Sequence, residues 1–109
     1  MKIIYNKLVR DRIPEIIESD GKKANYRILN DEEFIEALKD KLIEEAKELK
    51  EAETRKEQAE ELADILEVFS CLAEALLIDR QIILLTGFKK INTKGSFDKK
   101  IFLESVLED

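Results

Sequence analysis

The stretch EEAKELKEAETRKEQAEELAD, running from Glu44 to Asp64, decides the fold. At its centre, Thr54-Arg55-Lys56-Glu57 has the form of a helix-start box: a hydroxyl residue followed three positions later by Glu. A helix that begins there must follow one that has just ended. The connection is tight, so the two helices pack antiparallel. Reflecting the chain about the Thr54-Arg55 junction brings Glu48 level with Glu61 and Glu45 level with Asp64. The same reflection extends the pattern outward. Upstream, Phe34, Leu38, Lys41, Glu45, Glu48 and Ala52 step by three or four along one helical face. Downstream, Glu61, Asp64, Val68, Cys71 and Ala75 do the same.

The first long helix is expected to start at Asn30 or Asp31, with Asn30 and Glu33 as a capping box, and to run to about Glu53. Its apolar stripe is Phe34, Leu38, Leu42 and Leu49. The second long helix starts at Thr54, with Leu62, Ile65, Leu66, Phe69, Leu72 and Leu76 as the expected core stripe. Pro14 can start a short helix that Gly21 ends. Asp79 is placed as the cap of a further helix covering Ile82 to about Ile91, and Lys94-Gly95-Ser96-Phe97 breaks that pattern. Residues 2–5 and 24–29 read as short extended pieces. The chain holds only three Gly and one Pro, a scarcity of turn residues that favours long helices over many short strands. The expectation is an all-α, single-domain helical bundle over residues 1–109. It is built on two long antiparallel helices plus shorter ones and completed by oligomerisation, because Val68 and Cys71 lie beside Leu66 and Phe69 on more than one side of the second long helix.

Composition narrows the chemistry. Histidine is absent, which removes His-ligated zinc, His–Asp dyads and Cys–His catalysis. The single Cys71 cannot form an internal disulfide and reads as an inert core thiol. A net charge of −6 argues against general nucleic-acid binding. No apolar run is long enough to span a membrane, and residues 1–20 carry no secretory pattern. These features point to the cytoplasm.

The acids remain. Glu-x-x-Glu occurs five times in the chain, so any single pair is weak evidence and usually a solvated face. Glu45 with Glu48, and Glu61 with Asp64, differ because they continue apolar stripes and share a level. Ionised carboxylates facing a bundle interior need a cation or hydrogen bonds. Four hard oxygen donors without nitrogen or sulfur select Mg²⁺, or Mn²⁺, and Mg²⁺ usually shares its site with substrate phosphates. Glu44 is adjacent and is the candidate general base for a water nucleophile, against the plainer reading of a surface acid. Lys7, Arg10, Lys90 and Lys94 are the candidate phosphate-binding cations. The plainer reading pairs Arg10 with Asp11 and leaves the lysines solvated. Removing Arg10 or Lys94 is expected to leave metal affinity almost unchanged.

The spaced acids Glu45, Glu48, Glu61 and Asp64 resemble the signature of the all-α nucleotide pyrophosphohydrolases, the MazG-like and phosphoribosyl-ATP pyrophosphohydrolase-like group. The opening Tyr5-Asn6-Lys7-Leu8-Val9-Arg10-Asp11-Arg12-Ile13-Pro14 resembles one branch of it, as does Lys94-Gly95-Ser96-Phe97 followed by Ile101-Phe102-Leu103. The resemblance implies Mg²⁺ held by the four acids and cleavage of the α–β phosphate link, giving a nucleoside monophosphate and pyrophosphate. It also implies assembly as a homodimer or homotetramer. Two alternatives stand beside a nucleoside triphosphate substrate. One is the same chemistry on phosphoribosyl-ATP. The other is a non-enzymatic helical adaptor whose interior acids pair with Lys or Arg across a dimer.

Overall fold

The computed structural model describes residues 1–108. In chain order its elements are α1 (Ile13–Ser19), α2 (Asp31–Glu51), α3 (Arg55–Ala75) and α4 (Arg80–Lys94), and no strand occurs among the described residues. The protein is all-α. The extended pieces expected at residues 2–5 and 24–29 carry no ladder, so they are connecting chain rather than sheet.

Local chemistry accounts for the helix ends. Pro14 sits in the first turn of α1, where its missing N–H costs nothing. Just past the helix, Gly21 adopts φ 79°, a left-handed conformation that glycine tolerates without strain. Asn30 caps α2 with the full reciprocal box: its side chain accepts from the Glu33 backbone N–H, and the Glu33 carboxylate accepts from the Asn30 N–H. Thr54 caps α3 differently from the expected box. Its hydroxyl accepts from the Glu57 N–H at 3.1 Å and donates to the Glu57 carboxylate at 3.0 Å, so that carboxylate serves the side chain instead of the backbone. Asp79 caps α4 by accepting from the Gln81 N–H, and the helix is longer than expected at both ends.

The chain divides into two compact units, Met1–Leu77 and a second beginning at Ile78. In the first unit α2 packs on α3 across the short link Ala52-Glu53-Thr54. Leu38, Val68 and Ala73 are buried, while Phe34, Leu42, Ile65, Phe69 and Leu72 are half-buried. This corrects the expected core stripe of α3. Leu62 and Leu66 are 55% and 67% exposed, and Leu76 is also exposed. The face turned inward is the one that carries Glu61, Asp64 and Val68. Cys71, half-buried, donates through its sulfur to the Glu67 carboxylate. Loss of hydration and the Glu67 charge push its thiol pKa up, which suppresses the reactive thiolate. The second unit contains α4, whose apolar residues Ile82, Leu84, Leu85, Phe88 and Ile91 are exposed.

Candidate metal centre and its basic partners

Two groups of acids converge on the α2–α3 seam. Glu44, Glu45 and Glu48 each offer an oxygen within 4.8 Å of the others, and so do Glu45, Glu61 and Asp64. Glu45 belongs to both and links them, while Glu48 and Asp64 fall in different groups. A helix places residues three and four apart on one face, which gathers Glu45 with Glu48 and Glu61 with Asp64. The tight link then sets the two pairs at one level.

Glu45 is 4% exposed, the one buried charged residue among those described. Its Oε2 has no hydrogen-bond partner, and neither does the buried Oε2 of Glu61. A buried carboxylate oxygen without a partner is costly. Crowding shows in the proton affinities too. With no cation between them, the adjacent Glu45 carboxylate, which a proton on Glu61 would bridge to, together with loss of hydration and the Glu48 carboxylate, pushes Glu61 up to about 7. Glu48 is raised by loss of hydration and then by Glu45. Like charges held this close retain a proton unless a cation replaces it. Two orphaned oxygens and an all-carboxylate donor set fit a hard divalent cation, and Glu45, Glu48, Glu61 and Asp64 are the residues that could hold it.

Cations of the chain compensate part of this charge. Arg10 donates through Nη2 to Asp64 Oδ1 at 2.6 Å, a contact that replaces the expected pairing with Asp11. Lys7 donates to Glu44 Oε1 at 3.3 Å and lies 5.9 Å from the centre of the Tyr5 ring. Asn6, with φ 45°, turns the chain just before it, a conformation Asn tolerates better than most residues. Lys41 is a participant that the sequence reading placed on the right face without a role. It contacts Glu44 Oε2 at 3.3 Å and Glu45 Oε1 at 3.4 Å. Its positions three and four residues before those acids were the available signal. Glu44 thus has both oxygens engaged. Burial works to raise its pKa, but Lys7 and Lys41 outweigh that and hold it below the usual carboxylate range. Lys90 and Lys94 lie on α4 in the second unit, four positions apart on one face, as expected if the helix reached that far. Gly95 follows with φ 84° and ψ −177°, a region nearly exclusive to glycine.

A family model described as phosphoribosyl-ATP pyrophosphohydrolase matches residues 8–84, well over half the chain. The chain belongs to the phosphoribosyl-ATP pyrophosphohydrolase family. The matched range contains Arg10, Lys41 and all five acids of the seam; Lys7 lies one position before it, and Lys90 and Lys94 lie beyond it. An uncharacterized protein of Mycolicibacterium smegmatis is 52% identical over 48 residues, which is 44% of this chain and 49% of that relative. No solved structure matches the chain. No helix among the described residues is long and apolar enough to cross a membrane.

Proposed function

We propose that the chain is a Mg²⁺-dependent nucleotide pyrophosphohydrolase that breaks the α–β phosphate link of a nucleoside triphosphate, releasing a monophosphate and pyrophosphate. The observation that carries this is the pair of carboxylate triads sharing Glu45, with buried oxygens of Glu45 and Glu61 left unpaired. The adaptor alternative needs the interior acids to be satisfied by basic side chains. Lys7, Arg10 and Lys41 do pair with acids of the seam, yet they leave those two oxygens without partners, and that favours a site for a metal. Family membership supports the same class of chemistry.

When bound, Mg²⁺ would polarise the phosphate and make an attacking water more acidic. Glu45, Glu48, Glu61 and Asp64 would hold it, and Lys41 keeps one oxygen of Glu45 engaged while the other stays available. Glu44 is the proposed acceptor of the water's proton. That role requires Oε1 to be free of Lys7, as it becomes when Lys7 turns to a phosphate of the substrate. Arg10 and Lys7 supply positive charge to the leaving pyrophosphate, where negative charge grows in the transition state. Replacing Arg10 with Ala lowers kcat/KM about 10-fold or more, the effect of one lost charged hydrogen bond. The same assay on Lys94→Ala reads whether α4 contributes a phosphate contact.

The family match favours a second reading equally: phosphoribosyl-ATP as the substrate, broken at the same α–β link. One screen addresses both. Nucleoside triphosphates and phosphoribosyl-ATP are offered separately with Mg²⁺, and pyrophosphate release is measured. Release from a triphosphate supports the first reading, and release from phosphoribosyl-ATP alone the second. No release from any of them overturns the enzymatic assignment.

A further inference from the structure

We infer that Arg10 is an exchangeable counter-cation, bound to Asp64 in the metal-free protein and passed to the substrate's phosphate when a divalent cation takes that carboxylate. This rests on the metal-site reading and adds an antagonism to it. Arg10 holds Asp64 Oδ1 at 2.6 Å, and Asp64 forms a group of three acids with Glu45 and Glu61. The guanidinium occupies part of the donor set that a metal would need. Its side chain is 61% exposed and that of Asp64 is 35% exposed, so the pair sits at the mouth of the seam where it can open without unpacking the core. Lys41 differs in this respect. Only 19% exposed, it contacts Glu44 and Glu45 from within their own helix and is built in for good.

The exchange has a direction set by charge. Asp64, in a crowded acidic group, would exchange a single guanidinium charge for the double charge of a divalent ion. Arg10, once released from Asp64, would have its donors free at the edge of the acidic group. A phosphate bound to that metal is the strongest acceptor within reach, because guanidinium and phosphate pair through two parallel hydrogen bonds. Metal binding therefore frees the cation that phosphate binding uses. By linkage, removing Arg10 strengthens the first step and weakens the second.

Calorimetry with Mg²⁺ alone, on the parent and on Arg10→Ala, reads the first step without any turnover. The expected result is a two- to fivefold tighter dissociation constant in the variant, about the worth of one exposed ion pair, in place of the almost unchanged affinity expected from the sequence, because Arg10 holds Asp64. Inorganic pyrophosphate titrated into the Mg²⁺-saturated proteins reads the second step, and about 10-fold weaker binding to the variant is expected. Unchanged or weaker Mg²⁺ binding in Arg10→Ala overturns the exchange, since Arg10 would then be indifferent to the metal or would be orienting Asp64 for it. Unchanged pyrophosphate binding overturns it as well. Glu48→Ala, which removes a ligand that Arg10 does not touch, separates this failure from that of the metal site. If the parent binds no Mg²⁺, or Glu48→Ala binds it as well as the parent does, the metal reading falls and the exchange falls with it.

Discussion

At the scale of single residues, the seam is a set of charges that compete with one another. Glu48 and Glu61 both hold protons more tightly than ordinary carboxylates, which marks a site that repels itself without a cation. Removing one member therefore has opposite effects on function and on stability. Glu48→Ala is expected to abolish Mg²⁺-dependent pyrophosphate release while the metal-free melting temperature holds or rises, as read by thermal melting in a chelating buffer. Asp64→Ala is expected to abolish turnover too, but without the gain in stability, because it deprives Arg10 of its partner. That loss is small, at most about 1 kcal/mol, since the pair is largely exposed. Full activity in Asp64→Ala would remove that carboxylate from the metal site. The level shared by these acids was legible in the sequence, because helical spacing and a mirror point at the Thr54-Arg55 junction set Glu45 and Glu48 opposite Asp64 and Glu61. The reach of Arg10 to Asp64 was not. Those residues are far apart in the chain, and nothing in their local patterns records that the segment before α1 lies along the acidic seam.

At the scale of elements, the helices follow their caps more faithfully than their apolar stripes. Asn30 and Glu33 announced the start of α2, and the capping box is present in full. Asn30→Ala should cost about 1 kcal/mol in urea unfolding, the usual worth of such a cap. Arg27 adds a pH dependence to the same helix start. It donates to both oxygens of Glu33, and this, with the Asn30 backbone N–H, holds the Glu33 pKa below its ordinary value. A carboxylate with a depressed folded-state pKa stabilises the fold above its unfolded value, about 4.3, and the contribution is lost as pH falls through the folded value. Arg27→Ala should therefore flatten the acid limb of the stability profile and leave the alkaline limb unchanged, as measured by urea midpoints across pH. The core of α3 was harder to read. Its sequence offers one stripe through Leu62, Ile65, Leu66, Phe69, Leu72 and Leu76 and another through Glu61, Asp64, Val68, Cys71 and Ala75. Period alone cannot say how much of each meets α2: Ile65, Phe69 and Leu72 of the first are half-buried, while Leu62, Leu66 and Leu76 are exposed. Leu38→Ala tests the face that does meet it, and should cost about 2–5 kcal/mol as a buried leucine removed from a small core.

At the scale of the whole molecule, the edge of the α3 stripe that α2 leaves uncovered still needs an explanation. Leu62 and Leu66 stand largely exposed one helical turn apart, and on α2 Ile43 is exposed as well. Burying a leucine is worth about 1.5–3 kcal/mol. A two-fold partner that covers this stripe buries both leucines from each subunit, so the gain is counted twice. Such a partner would also run beside the candidate metal site, because Leu62 lies between Glu61 and Asp64 in sequence and Leu66 lies just beyond them. Association and catalysis should then fail together when the stripe is made polar. The expected outcome for the parent is at least a dimer in multi-angle light scattering at micromolar concentration, against a subunit mass of 12.7 kDa. Leu66→Glu should shift it towards the monomer and lower activity, while the helical signal in circular dichroism is retained because Leu66 takes no part in the α2–α3 core. A parent that is monodisperse near the subunit mass would remove the partner from the argument. A monomeric Leu66→Glu with full activity would keep the partner but show that each seam works alone.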